Sequence, residues 1–174
     1  MKFDSSIVQT RVPSPLGSIA IAATDKGLAG LWFTENQRYL PLELTGPAAW
    51  PEDAGHPVLQ QASWQLGEYF AGRRSRFDLP LDLRCGTAFQ QSVWQALLAI
   101  PHGEVTRYGE VSRRIGQPAA VRAVGGAIGR NPVSIIVPCH RVTGSSGALT
   151  GYAGGLDRKT ALLRLESTLA ESLF

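Results

Sequence analysis

Cysteine is scarce in this chain of 174 residues: there are two, Cys85 and Cys139. That is too few for a disulfide framework or a four-ligand zinc site. No apolar run approaches the roughly 20 residues of a membrane-spanning helix. The opening Met1-Lys2-Phe3-Asp4 leads into polar residues, where a secretory signal would carry its apolar segment. These absences lead us to expect no membrane association and a reduced, cytoplasmic setting in which a reactive thiol survives. Disorder is excluded by the 44% hydrophobic content, which is enough apolar surface to offset the entropy of ordering.

The formal net charge is only +3, but its distribution is uneven. Residues 1–84 carry 8 basic and 9 acidic side chains. Residues 85–174 carry 9 basic ones, eight of them arginine, against 5 acidic. An arginine-rich half beside a near-neutral one is the footprint of a protein that meets a polyanion, though many soluble domains reach a similar charge.

Residues 1–84 read as strands followed by a helix. Ser6 to Val12, Ser18 to Ala23 and Leu28 to Phe33 are strand-like, and Asp25-Lys26-Gly27 makes a tight turn. Periodicity fades from Thr34 to Gly55, which reads as loop. Leu59, Ala62, Leu66 and Tyr69 or Phe70 recur at helical spacing and predict a helix over His56 to Ala71, stopped by Gly72. Phe77, Leu79, Leu81 and Leu83 then alternate as in a half-buried strand, with Pro80 assigning it to an edge.

Past a boundary near Arg84 to Thr87 the pattern turns helical. Thr87 with Gln90 fits a capping box, and Phe89, Val93, Ala96, Leu97 and Ile100 mark an apolar face. Two short helices follow. Tyr108, Val111 and Ile115 mark the first, which Gly116 ends. Pro118 opens the second, whose buried face is Ala120, Val124, Ala127 and Ile128. A helix pair joined by a glycine-containing turn is a helix-turn-helix signal, or simply two adjacent helices. Arg122 lies about 200° round from Ala120 and so faces outward. Gly125 and Gly126 beside it each cost roughly 1 kcal/mol relative to alanine, a cost that close approach of another backbone would offset. A last amphipathic helix runs through Ala161, Leu162, Leu165 and Leu169, with Glu166 bordering its apolar side.

The densest chemistry is in Pro138-Cys139-His140-Arg141-Val142, at the end of an apolar run that begins at Val133. The run places the thiol in the interior. A thiol attacks as thiolate, with a free pKa of roughly 8.5, and an adjacent base is the usual activator. Taken alone, such a pair is more often a buried structural cysteine beside a surface histidine.

With these residues in view, the stretch from about Phe89 to Glu166 resembles the O6-alkylguanine-DNA alkyltransferase family. The resemblance rests on Tyr108, Arg122-Ala123-Val124-Gly125, Asn131-Pro132, Pro138-Cys139-His140-Arg141-Val142, Gly151-Tyr152-Ala153-Gly154-Gly155 and Glu166, in order. It implies an α/β (α+β) protein. Residues 1–84 would be a ribonuclease H-like antiparallel sheet with a helix, and residues 85–174 a mostly helical winged helix-turn-helix domain. The zinc ligands of some members have no counterpart in residues 1–84.

The resemblance further implies single-turnover transfer of an alkyl group from O6-alkylguanine, with O4-alkylthymine as a second candidate substrate, in double-stranded DNA to Cys139, without metal or cofactor. A monomer is expected because the sequence offers no extra apolar helix face. His140 would activate the thiol through a water, and Glu166 would orient His140. Tyr108 would rotate the nucleotide and donate to the purine, and Asn131 would brace the turn before an active-site strand. Arg122, with Ala123, Gly125 and Gly126, would enter the minor groove. Val142, Tyr152, Ala153 and Gly154 would line the pocket. Three other readings are a lesion-binding protein that performs no transfer, a helix-turn-helix regulator, and a cysteine hydrolase. The acceptor thiol argues against the first, the shortage of base-reading side chains on the second helix against the second, and a base adjacent in sequence against the third.

Overall fold

The computed structural model describes residues 1–166; Leu169, expected on the last helix, lies outside them. The chain divides into two compact units, Met1–Cys85 and the residues from Gly86 onward.

The first unit is built on an antiparallel meander of β1 (Val8–Val12), β2 (Ile19–Thr24) and β3 (Gly27–Phe33). Val8 lies opposite Ala23 and Ile19 opposite Phe33. β2 and β3 are buried along their whole length, which explains why they read as continuous apolar runs rather than alternating ones. Helix α1 (Pro57–Phe70) packs on the sheet through Leu59, Ala62, Leu66 and Tyr69. His56 caps it, its ring accepting from the Val58 amide at 3.2 Å, and Pro57 occupies the first turn, where no donor is needed. Phe3, Trp32 and Trp50 stack edge-on or tilted in a further cluster.

The loop expected from Thr34 to Gly55 holds one 3-10 turn, Leu42–Leu44. The buried Gln9 amide ties it down, donating to the Leu44 and Trp50 carbonyls at 3.2 and 3.0 Å. The expected strand over Phe77 to Leu83 is not formed. It touches β3 in a single bridge, where the Leu28 amide donates to Pro80 O and the Asp82 amide to Leu28 O, both at 2.8 Å. Pro80 has no N–H to continue a ladder. Asp82 then turns inward, accepting from Thr24 Oγ1 at 2.6 Å and from Arg84 through both carboxylate oxygens at 2.8 Å. Gly27 is required where the backbones meet, since a Cβ there would lie 2.5 Å from Pro80 O.

Among the described residues the second unit has four α-helices: α2 (Ala88–Leu98), α3 (Tyr108–Arg114), α4 (Val121–Gly129) and α5 (Leu156–Leu165). The capping box at Thr87 and Gln90 is present, with bonds of 3.0 and 3.1 Å. Helices α2, α3 and α4 pack on one another, and the buried Trp94 indole donates to Ala127 O at 2.8 Å, joining α2 to α4. Helix α4 begins at Val121, three residues later than expected from Pro118. Residues 117–120 instead make a turn closed by the Ala120 amide on Gln117 O at 2.9 Å. Two short parallel strands, β4 (Thr106–Arg107) and β5 (Val142–Thr143), pair the entry of α3 with the segment just after Cys139. This pairing brings Tyr108 into the neighbourhood of the thiol.

Candidate active site

Every residue from Asn131 to Thr143 is buried. Cys139 opens a 3-10 turn, Cys139–Arg141, rather than lying on the strand expected from sequence. The strand that follows is only Val142–Thr143, because Pro138 and the tight turn around it leave no extended backbone to pair. Burial pushes the Cys139 thiol above its ordinary pKa, with the Asn131 side chain and the Lys159 charge opposing. The resting sulfur is therefore a thiol, and attack requires a base.

The adjacent residue carries an imidazole. His140 is fully buried, and its Nε2 lies 2.8 Å from Glu166 Oε1. Burial lowers the imidazole pKa against the raising effect of Glu166. Burial alone would raise Glu166, but bonds from His140 and Arg141 win and hold its carboxyl well below the usual carboxylate range. An ionised carboxylate only accepts, so the proton between the two residues belongs to Nε2. Nδ1 is then the nitrogen with a lone pair, and it has no hydrogen-bond partner among the described residues.

Arg141 is committed inside the unit. Its Nε donates to Glu166 Oε2 at 2.9 Å, Nη2 to Oε1 at 2.8 Å, and Nη1 to Ile100 O at 2.7 Å. Glu166, which could equally have been a solvated residue on a helix flank, is 1% exposed. Asn131 grips the turn before Cys139: its Nδ2 donates to Val137 O at 2.8 Å and its Oδ1 accepts from the Val133 amide at 2.9 Å.

One residue of the site escaped the sequence reading. Lys159 is fully buried, and its ammonium donates to Val142 O at 2.6 Å, Thr150 O at 2.9 Å and Gly151 O at 3.3 Å. It ties the segment after Cys139 to the loop over residues 144–155. A signal was present: Lys159, Leu162, Leu163 and Glu166 fall at i, i+3, i+4 and i+7, one helix face, and two of the four are charged.

The pocket candidates sit along that loop. Val142 is buried and its carbonyl is engaged by Lys159. Tyr152 and Ala153 are half-buried and Gly154 is buried. Burial drives the Tyr152 hydroxyl well above its ordinary pKa, and raises that of Tyr108 as well. The Tyr108 hydroxyl donates to Thr150 O at 3.3 Å, and a Cβ on Gly125 would sit in ordinary contact with its ring, 3.8 Å away. On α4, Arg122, Ala123 and Gly126 are exposed on one side while Val124, Ala127 and Ile128 are buried on the other. Open space lies above Gly126. Cys85 belongs to the first unit, where burial pushes its thiol up to about 11. Among the described residues no cluster of His, Cys, Asp or Glu could hold a metal ion.

Fold and site together define a class: a helix-turn-helix unit whose interior carries a thiol beside an imidazole–carboxylate–guanidinium chain. Residues 88–168 match the DNA binding domain of 6-O-methylguanine DNA methyltransferase, and residues 7–83 match its ribonuclease-like domain. The chain therefore belongs to the 6-O-methylguanine DNA methyltransferase family.

The methylated-DNA–protein-cysteine methyltransferase of Mycobacterium tuberculosis is 50% identical over 159 residues, covering 91% of this chain and 92% of that protein. That of Methanosarcina barkeri is 48% identical over 155 residues, covering 89% and 94%. A crystal structure of the M. tuberculosis protein in complex with DNA superposes with a TM-score of 0.80 at 49% identity, covering 91% of each chain. The Pyrococcus kodakaraensis O6-methylguanine-DNA methyltransferase, at 21% identity and TM-score 0.52, shares the fold.

Proposed function

We propose that this chain repairs DNA by direct reversal, moving the alkyl group of O6-alkylguanine in double-stranded DNA irreversibly onto Cys139. The observation that carries the reading is His140, the residue next to Cys139, held through Nε2 by an ionised Glu166 while its buried Nδ1 has no hydrogen-bond partner among the described residues. In the reaction the alkyl carbon–O6 bond breaks as the carbon–sulfur bond forms in line. The thiol proton passes to His140 Nδ1 by way of a water, and Glu166 stabilises the imidazolium that results. The leaving purine collects negative charge, which hydrogen bonds donated by Tyr108 and by the backbone amides near Tyr152 and Ala153 stabilise. It ends as guanine by taking up one proton, which balances the one the thiol released to His140. The thioether product has no return path, so each molecule acts once.

Recognition follows from α4. Exposed Arg122 on a helix thinned by Ala123, Gly125 and Gly126 suits a narrow groove, and the target base must leave the stack before in-line attack is possible. In this reading residues 85–174 bind DNA and carry the chemistry, and residues 1–84 form the supporting domain. Asn131 positions the thiol turn, and Val142, Tyr152, Ala153 and Gly154 line the pocket. No helix among the described residues is long and apolar enough to cross a membrane, and a reduced compartment such as the cytoplasm suits the thiol. The protein works as a monomer without a cofactor.

The test is a burst experiment with duplex carrying O6-methylguanine in tenfold excess. Repair that stops at one lesion per protein supports the reading. Repair that continues to consume substrate identifies a hydrolase instead.

A further inference from the structure

The segment leading to the nucleophile contains a backbone feature that the chemistry above does not use. The Ile136 amide donates to Ser134 O at 2.9 Å, closing a three-residue turn around Ile135, whose φ is +74°. This is the rarer, strained sense of the γ-turn. A β-branched residue is the least suited to that region, yet Ile135 is 1% exposed. Three residues on, the Cys139 amide donates to Val137 O at 2.8 Å around Pro138, at φ −83° and ψ 65°, the relaxed γ-turn of opposite hand.

The two turns are locked together. The Val137 amide donates to Val133 O at 3.0 Å. Val137 O accepts from both Cys139 N and Asn131 Nδ2, while Asn131 Oδ1 receives the Val133 amide. Strain of this kind persists only where the surroundings over-determine it, and it gathers at functional sites.

We infer that Ile135 is a positioning residue for alkyl transfer: its left-handed γ-turn sets the height and direction of the chain that delivers Cys139. The inference rests on the transfer reading above. The buried side chain holds the turn in place, and the turn places the sulfur. Replacing Ile135 by alanine releases the side-chain packing while leaving the φ unfavourable, so the turn relaxes and the sulfur moves. Replacing it by glycine removes the same packing but leaves the positive φ free of strain, so the turn survives.

The experiment compares Ile135→Ala and Ile135→Gly at saturating O6-methylguanine duplex, reading the single-turnover rate and the melting temperature. A misplacement of about 1 Å is worth on the order of 100-fold in rate. The expected results are a rate loss of at least tenfold in I135A, recovery to within about threefold of the parent in I135G, and a melting temperature higher for glycine than for alanine. A purely packing role predicts equal rates and, from the ordinary entropic cost of glycine, the lower melting temperature for I135G. Equal rates in the two variants, or a slower I135G, overturn the inference.

Should neither variant fold, hydrogen exchange of the parent decides. Ile136 and Cys139 amides protected like the surrounding core support a fixed turn, and exchange at loop rates refutes it. If the parent itself takes up no methyl, the transfer reading fails, which is a separate outcome.

Discussion

Replacing Glu166 by glutamine probes the least replaceable group in the site. The carboxylate accepts three bonds of 2.8 to 2.9 Å, two from Arg141 and one from His140. A glutamine keeps one acceptor oxygen and presents an NH2 group to donors on the other side. At least one charge-assisted bond is lost, worth about 1.5–3 kcal/mol. The buried Arg141 charge also loses its counter-ion, and breaking a buried pair in this way costs about 3–5 kcal/mol in all. At about 2–4 °C per kcal/mol for a chain of this size, Glu166→Gln should melt roughly 6–20 °C below the parent.

The rate should fall as well. With no ionised acceptor, His140 is no longer fixed in the Nε2–H tautomer, and a general base is worth about 100-fold or more. Thermal melting and single-turnover methyl transfer, measured well below both melting temperatures, check the two effects separately. A variant that melts within about 2 °C of the parent and transfers at the same rate would refute the carboxylate's assigned role.

Arg122→Ala should leave stability within about 0.5 kcal/mol, since the side chain is exposed. It should nevertheless lower the transfer rate at sub-saturating duplex by tenfold or more, the order expected when help with costly unstacking is lost. Lys159→Met removes three donors to carbonyls and should cost about 2 kcal/mol, read as a shifted urea midpoint, while slowing transfer. Acid should destabilise the protein in two stages. Above the ordinary histidine pKa of 6.5 His140 is neutral in both states; below it the unfolded chain takes a proton that the buried ring refuses, so stability falls as pH drops. Glu166 adds its own loss below the ordinary 4.5, where the unfolded carboxyl protonates and the folded one does not. Melting temperatures should hold from roughly pH 8 to pH 6.5 and decline from there to pH 5, and His140→Asn should flatten that decline.

Much of this was legible in sequence because local signals and tertiary demands agree. The Thr87–Gln90 capping box and the His56-Pro57 helix start are local chemistry and appear where expected. The Cys139-His140 pair and Glu166 were nameable, but their contact spans 26 residues, and no periodicity reports it. Phe77 to Leu83 alternated like a strand and failed as one because Pro80 and the inward turn of Asp82 outweigh the pattern. Pro118 marked a helix start that a tight turn took instead. Lys159 was missed because a lysine is usually a solvated end of a helix face, and only the three carbonyls around it show otherwise. The positive φ of Ile135 had no signal at all, since nothing in a run of apolar residues announces that one is left-handed.

The most direct test is mass spectrometry of the intact protein and its peptides after incubation with a short duplex bearing O6-methylguanine. The account predicts one methyl per protein, located on the peptide containing Cys139, with unmodified guanine left in the DNA and no gain in Cys139→Ala. Tight binding of the lesion with no change in mass, or methyl on Cys85, would contradict it.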